Sequence, residues 1–459
     1  MTTTVRRPAS AARPIAGSAR RFDVIRLGLA AVNRLASWSA LDRLGLREPA
    51  ERAAFTLTRT GFRTRSAAGR VFASAKARSA AARPAAPSST GVFDLTPTHE
   101  QQMLVDVVRE FAAERVRPIA ARADQDCETP ADVLSTAASL GIAQIGVPEG
   151  AGGLWPERTA VTNTLVAEAL AHGDLGIALA CLAPAAVSSA LSLWGSGEQQ
   201  ATYLPHFVGE NPPAAALTLL EPRAGFDPFR LQTVAVTVPG GYLLNGVKSL
   251  VALASTAEVF VVAAQLDGTD PTLFVIESGT SGLTVESEPA MGLRAAGMGR
   301  LLLDDVIVPP TARLAAAPDL DAGDAYRSCV RLSRLAWCAL AVGTGQAVLD
   351  YVIPYVNERQ AFGEPISHRQ AVAFTVADIA IELEGMRLVT YRAASRAEMG
   401  EDFARETALA RRLCSEHGMF IGSSGVQLLG GHGYVKEHPV ERWYRDLRAI
   451  SLMEGLVLV

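Results

Sequence analysis

VAVTVPGGYLLNGV (Val234–Val247) decides the fold, because two apolar stretches with a period of two flank the tight turn PGG. A half-buried strand turns alternate side chains toward the core, so this segment predicts a β-hairpin. Four more short stretches of the same kind follow before Pro310, separated by turns rich in Gly, Asp and Ser. They are EVFVVAAQL (Glu258–Leu266), TLFVIES (Thr272–Ser278), LTVES (Leu283–Ser287) and LLLDDVIV (Leu301–Val308).

The apolar period on both sides of this region is that of helices. THEQQMLVDVVREFAAERVRPIAA (Thr98–Ala121) begins at a capping Thr98 and places its apolar residues on one face. Because strands and helices do not alternate along the chain, the pattern argues against a Rossmann fold. We predict a mainly α protein with a helical N-terminal domain (91–211), a small antiparallel β-barrel or β-sheet domain (212–320) and a C-terminal helical domain (321–459).

Residues 1–90 differ from the rest of the chain in charge. They hold sixteen arginines and Lys76 but only four acidic residues, and they end in the linker RPAAPSSTG (Arg83–Gly91). Three interpretations stay open: a basic arm that contacts an anionic membrane or an acidic partner, an organelle transit peptide, and a weakly ordered solvated extension. Nucleic-acid binding is not expected, because aromatic residues do not interleave with the basic ones.

Other classes of protein are disfavoured by composition and spacing. The longest apolar stretch, Leu335–Ile353, is interrupted by polar residues and predicts a buried helix rather than a membrane span. The five cysteines lack a paired spacing, which is typical of reduced and mostly buried thiols. No zinc-ligand spacing and no GxSxG nucleophile motif are present, so neither a metal site nor a hydrolase is predicted.

Six motifs lie where the three predicted domains meet. In their order and spacing they resemble the acyl-CoA dehydrogenase family over about residues 93–455, and the basic extension lies outside this resemblance. The motifs are EPRAGFD (Glu221–Asp227), LNGVK (Leu244–Lys248), GLRAAGMGRLLLDDVIVP (Gly292–Pro309), NERQAFGEPISHRQAV (Asn357–Val372), QLLGGHGY (Gln427–Tyr434) and ERWYRDLRAISLMEG (Glu441–Gly455).

The resemblance implies a C-terminal four-helix bundle, usually a homotetramer, and FAD as the cofactor at subunit interfaces. It implies removal of two hydrogens across Cα and Cβ of an acyl-CoA, with Glu454 as the base for the α-proton and flavin N5 as the hydride acceptor. Such a base needs an apolar, water-poor slot, where desolvation raises the pKa of a carboxyl group. The alternative base position of the family is occupied by Ser333, which cannot act as a base unaided.

The resemblance also assigns binding residues. Arg334 matches an arginine that contacts the CoA-bearing substrate, and Phe226 lies where a side chain shapes the substrate slot. An arginine offers forked donors to a pyrophosphate, and glycines allow close backbone approach. The expected FAD contacts, largely to the cofactor of a neighbouring subunit, are Arg359, Phe362, Gln370, Gln427, Gly430 and Gly431.

Several positions that usually contact the flavin depart from the family pattern. Apolar side chains replace hydroxyl-bearing or aromatic ones, and loss of one donor at a reacting centre costs roughly two to three orders of magnitude in rate. Either the flavin ring is held mainly by apolar contact, or the chain binds flavin poorly. The positions are Leu220, Phe226, Leu250, Ala252 and Leu456.

Two hypotheses follow. The first is an FAD-dependent acyl-CoA dehydrogenase that passes electrons to an electron-transfer flavoprotein. The second is a flavin-poor or non-catalytic subunit that stabilises a heteromeric or membrane-associated complex. A homodimer or a heterotetramer are alternatives to the homotetramer. The expected location is the bacterial cytoplasm, with membrane association through residues 1–90 as an option, or the mitochondrial matrix if the source is eukaryotic.

Overall fold

The computed structural model describes residues 97–153, 159–209, 211–314, 322–456 and 458. They belong to one compact unit, Gly91–Val459. The interpretations of residues 1–90 lie outside the described residues.

The N-terminal part is helical, as predicted. Its first helix is capped by Thr98, whose hydroxyl accepts from the Gln101 amide while the Gln101 side chain accepts from the Thr98 amide. This helix continues through a π-helical turn (Ala112–Val116) and a 3₁₀ turn (Arg117–Ile119). The helices are α1 (His99–Phe111), α2 (Ala120–Asp126), α3 (Ala131–Ser139), α4 (Ala160–Ala171), α5 (Leu175–Trp194) and α6 (Gly197–Tyr203).

A seven-stranded sheet follows, with the strand order β1-β4-β2-β3-β7-β6 and with β5 paired to β4. The predicted hairpin is present as β2 and β3. The sheet is mixed rather than wholly antiparallel, because β1 and β2 both pair with β4 in parallel. The strands are β1 (Ala215–Thr218), β2 (Val234–Val238), β3 (Gly241–Val251), β4 (Val259–Leu266), β5 (Pro271–Glu277), β6 (Leu283–Ser287) and β7 (Gly299–Val308).

The C-terminal part packs three long helices, α7 (Ala322–Glu358), α8 (Gln370–Glu398) and α9 (Ala404–Leu429), against one another. The fourth helix, α10 (Val440–Leu447), has only eight residues. A two-stranded hairpin, β8 (Gln360–Ala361) and β9 (Glu364–Pro365), joins α7 to α8. Helix α4 also packs on α7 and α8, so the N-terminal and C-terminal helices share one core.

Helices α5 and α7 are long and apolar enough to cross a membrane. Within the structure, however, 94% of the apolar window of α5 and 78% of that of α7 are buried. Both are therefore core helices, in agreement with the prediction for Leu335–Ile353. The cysteines are free thiols, and all except Cys127 are buried.

Candidate functional site

Glu454 lies three residues beyond the 3₁₀ turn Arg448–Ser451 and is 7% exposed. The next residue, Gly455, has a φ of +92°, and a Cβ there would come within 2.5 Å of the Leu217 carbonyl oxygen. Only glycine accepts both this backbone conformation and this approach to β1 without strain. The local sequence thus allows the chain to turn Glu454 into the interior.

Ser333 on α7 holds the backbone that follows Glu454. Its buried hydroxyl oxygen accepts hydrogen bonds from the amides of Gly455 at 2.6 Å and Leu456 at 3.0 Å. The Leu456 amide is buried and the Gly455 amide partly buried, and this hydroxyl is the acceptor for both. Ser333, which we did not expect to act as a base, therefore has a structural role next to Glu454.

Two arginines contact the Glu454 carboxylate. Arg334 Nε donates to Oε1 at 2.9 Å, and Arg411 Nη2 lies 3.6 Å from the same oxygen. Burial raises the pKa of Glu454 above its usual range, while Arg411 and Arg334 act in the opposite direction. Arg334, expected at the substrate, is thus next to the acid. Arg411 was missed, because ARR (Ala410–Arg412) does not reveal which arginine faces the core.

A buried ion pair fixes the loop that carries Phe226. Lys248 Nζ lies 3.1 Å from Glu221 Oε1, and both side chains are almost fully buried. The Glu221 carboxylate also accepts from the amides of Gln232 and Thr233. Burial lowers the pKa of Lys248 to about 8, although Glu221 opposes this shift. Phe226 itself is half-buried.

The end of β3 is irregular at the positions where, by the family resemblance, side chains are expected to flank the flavin. The register with β7 shifts between Lys248 and Val251, and Leu250 has a φ of +50°. Glu288 stabilises this bulge by accepting from the Leu250 amide at 2.7 Å and the Ser249 hydroxyl at 2.9 Å. Bulges and left-handed residues of this kind are concentrated next to active sites.

A cleft of about 490 Å³ opens beside this bulge, between the sheet domain and the C-terminal helices. That volume is within the range of small-molecule sites, roughly 300–1,000 Å³. Polarizable thioethers and aliphatic side chains form much of its wall and suit a flat aromatic ring. The lining includes Leu250, Met298, Met419, Met453, Arg445 and Arg448.

Of the positions that depart from the family pattern, Leu250 lines this cleft. Leu220, Ala252 and Leu456 are all buried, and Leu250 is half-buried. The apolar walls of the cleft, which include Met298 and Met453, suit a ring system held by apolar contact and backbone groups. The residues present therefore fit a flavin, with fewer side-chain donors than the family usually supplies.

The residues expected to contact FAD lie together at another place, the far end of the C-terminal helices. Tyr355, one turn before Arg359, bonds through its hydroxyl to His432 Nδ1 at 2.9 Å, which joins the end of α7 to the turn after α9. Phe362 is 95% exposed. The others are also exposed, and a Cβ on either glycine would meet nothing within 4 Å. The six residues of this bundle-end surface are Arg359, Phe362, Gln370, Gln427, Gly430 and Gly431.

The two groups of site residues are far apart in one chain. Arg334 and Glu358 are separated by 24 residues of α7, about 36 Å at 1.5 Å per residue. The structure therefore brings Glu454 and Arg334 together, and it brings the bundle-end residues together, but it does not join the two groups. A cofactor in contact with both would need residues from two chains.

Family models of acyl-CoA dehydrogenases match three consecutive segments of the chain. The N-terminal domain model matches residues 98–210, the middle domain model 214–306 and the C-terminal domain model 324–456. These segments cover most of the helical and sheet regions described above.

Relatives agree with these matches. The chain is 32% identical over 369 residues to the short/branched chain specific acyl-CoA dehydrogenase of Rattus norvegicus, covering 78% of this chain and 83% of the rat enzyme. It is also 32% identical to the cyclohex-1-ene-1-carbonyl-CoA dehydrogenase of Geobacter metallireducens, covering 78% and 95% of the two chains. The butyryl-CoA dehydrogenase structure from Megasphaera elsdenii superimposes with a TM-score of 0.72 at 28% identity, covering 79% and 96%.

The three family models and these relatives thus match the chain along most of its described length, including the central sheet and the segment that carries the buried Glu454. The chain belongs to the acyl-CoA dehydrogenase family. It is an oxidoreductase of the class that acts on CH–CH bonds of acyl-CoA thioesters.

Proposed function

We propose that this chain catalyses the α,β-dehydrogenation of an acyl-CoA thioester, with Glu454 as the base that takes the α-proton. The observation that carries the proposal is the Glu454 carboxylate itself, which is 7% exposed and has one oxygen without a hydrogen-bond partner among the described residues. A desolvated carboxylate is basic enough to act on a weakly acidic C–H bond.

FAD is the cofactor, and when bound it supplies the acceptor for the β-hydrogen and its electron pair. Leu250, Met298 and Met453 would form the apolar walls beside its ring. The bundle-end residues Arg359 and Gln427 would contact the cofactor of a neighbouring subunit. The family resemblance supports this division, and so does the distance of about 36 Å along α7 between the two groups.

Replacement of the base tests the proposal. Glu454→Gln keeps the size of the side chain but removes the basic oxygen, so flavin content stays unchanged and reduction by acyl-CoA falls by about two to four orders of magnitude. The measurement is bleaching of the flavin absorption after mixing with an acyl-CoA. Glu437→Gln, an exposed acid in the same part of the chain, is the matched control and bleaches normally. Normal bleaching by Glu454→Gln would place the base elsewhere.

A second candidate is a flavin-poor subunit that stabilises a heteromeric complex. The apolar residues at Leu220, Leu250, Ala252 and Leu456 favour it, because they remove side-chain donors from the flavin environment. The visible spectrum of the purified chain separates the candidates. About one flavin per chain supports the dehydrogenase, whereas a colourless protein that stays colourless with added FAD supports the second candidate.

Assembly with further subunits is part of the proposal. Helix α8 exposes Phe374, Ile381 and Leu388, spaced by seven residues on one face and 58%, 66% and 43% exposed. Such a stripe is typical of a helix that packs on another chain. It supports a homotetramer, with a homodimer or a heterotetramer as alternatives. An electron-transfer flavoprotein is the proposed acceptor, and the bacterial cytoplasm or the mitochondrial matrix is the proposed location.

A further inference from the structure

The two oxygens of the Glu454 carboxylate are in different surroundings. Both arginine contacts go to Oε1, from Arg334 on α7 at 2.9 Å and from Arg411 on α9 at 3.6 Å. Oε2 is buried and has no hydrogen-bond partner within the described residues. One oxygen is therefore anchored, and the other keeps its lone pairs free.

Arg411 is the more buried of the two arginines. Its side chain is 13% exposed, against 28% for Arg334. Glu454 is the one acid that lies within 4.0 Å of Arg411 in the described part of the chain, and Arg411 Nη1 is buried without a hydrogen-bond partner there. A guanidinium in this position acts mainly through its charge on the carboxylate.

The other titratable groups around Glu454 carry no compensating positive charge. Burial raises the pKa values of Tyr326 and Cys329, which therefore stay neutral at physiological pH. Glu221, beyond Tyr326, is paired with Lys248. The groups that face Glu454 are thus Arg334, Tyr326, Cys329 and Cys338 from α7 and Arg411 from α9.

We propose that Arg411 is a positioning residue for the base: its charge keeps Glu454 ionised, and together with Arg334 it holds Oε1 so that Oε2 is the oxygen that takes the α-proton. The inference rests on the proposed role of Glu454. In this step an O–H bond forms at Oε2 as the Cα–H bond breaks, and the electron pair of that bond stays on the acyl group.

Burial and the arginine charge act on the pKa of Glu454 in opposite directions, and this fixes how the rate changes with pH in an Arg411 variant. Burial disfavours the carboxylate and raises the pKa of Glu454, whereas a positive charge within 4–6 Å lowers the pKa of a carboxyl by about one to three pH units. Without Arg411 the pKa of Glu454 rises further, so the base becomes protonated at a higher pH. The rate then falls earlier as the pH is lowered, while the rate at high pH is retained.

The test uses the full chain loaded with FAD and the saturated acyl-CoA that reduces the wild-type flavin fastest. Flavin reduction is followed by stopped flow across the pH range for Arg411→Leu, Arg411→Gln and Arg411→Lys. The acid limb moves upward by about one to two pH units in the Leu and Gln variants and stays near wild type in the Lys variant. Arg412→Leu removes an exposed charge from the same helix and leaves the profile unchanged.

A second measurement does not depend on turnover. Infrared difference spectra separate a protonated carboxyl from a carboxylate, and comparison with the Glu454→Gln double variants assigns the signal. Protonation of Glu454 occurs at a higher pH in Arg411→Gln than in wild type. If Arg411→Leu does not fold, the comparison of Arg411→Gln with Arg411→Lys still tests the proposal.

The inference and the proposed function fail in different ways. An unshifted acid limb and an unshifted carboxyl signal in folded Arg411→Gln overturn the role of Arg411. Normal flavin bleaching by Glu454→Gln overturns the base itself, whatever Arg411 does.

Discussion

The slot around Glu454 and the bundle-end surface differ in how complete they are within one chain. Glu454 is buried, is paired with Arg334 and is followed by backbone that Ser333 holds. At the bundle end Phe362 is 95% exposed, and the two glycines face open space. The acid is placed by contacts of its own chain, whereas the expected cofactor residues are exposed on the surface of that chain.

This difference teaches which part of the site depends on assembly. If Glu454 is the base, its buried carboxylate with a single anchored oxygen is placed within one chain. The bundle-end surface becomes useful only when a ligand or a second chain covers it, because exposed apolar groups of this size are typical of contact surfaces. Breaking the assembly should therefore remove the cofactor while the Glu454 slot stays intact.

The largest expected effect is on assembly. Ile381→Glu places a charge in the middle of the exposed stripe on α8, and loss of a hot-spot side chain at the centre of an interface costs about 2 kcal/mol or more. We expect smaller assemblies by light scattering and loss of most of the bound flavin. The circular dichroism spectrum stays unchanged, because the side chain is 66% exposed.

The matched control is Ile307→Glu on β7, where the same residue type is 62% exposed but lies on the sheet domain. This variant keeps its mass and its flavin. An Ile381→Glu protein with the wild-type mass and a full flavin content would show that the α8 stripe is not a subunit contact.

An intermediate effect is expected inside the slot. Ser333→Ala removes the acceptor of one buried and one partly buried amide hydrogen bond, and an unsatisfied buried group costs about 1–3 kcal/mol. We expect a lower unfolding temperature and flavin reduction that is slower by roughly ten- to a hundredfold, since small displacements of a reacting group have effects of this size.

Measurement of the flavin content separates slower flavin reduction from loss of the cofactor. We expect the flavin content of Ser333→Ala to remain at the wild-type level. Ser333→Thr restores the hydroxyl and recovers much of the rate. Ser415→Ala, which removes a hydroxyl from α9 at a half-buried site, has little effect. Equal rates in Ser333→Ala and wild type would mean that the loop after Glu454 is held by other contacts.

Local patterns predicted most of the fold. The period of two gave the hairpin of β2 and β3, and the motif order gave the family and its mainly helical architecture, which the structure and the comparisons confirm. Strand β1 was missed because AALT (Ala215–Thr218) is buried on both faces and does not alternate. Its parallel pairing with β4 depends on contacts 44 residues apart (Ala215 with Val259), which spacing cannot reveal.

Residues of the site could be predicted only at positions that the family resemblance covers. Glu454 came from a matched motif and Arg334 from its place next to the family's alternative base position, and their roles remain predictions. Arg411 was not foreseen, because two adjacent arginines on a helix differ by about 100° in direction and the sequence does not fix which one turns inward. The role of Ser333 depends on amides 122 and 123 residues later in the chain, a contact that exists only after folding.

The smallest expected effect concerns the apolar flavin environment. Leu456 is fully buried, and the family commonly has a threonine there. Leu456→Thr adds a hydroxyl, and one net hydrogen bond of about 1 kcal/mol would tighten FAD binding about fivefold. Leu456→Val has nearly the shape of threonine without the hydroxyl and isolates this contribution from the loss of volume. Flavin retention measured on dilution should rank the threonine variant above the valine variant. Equal retention would mean that the ring is held without a donor at position 456.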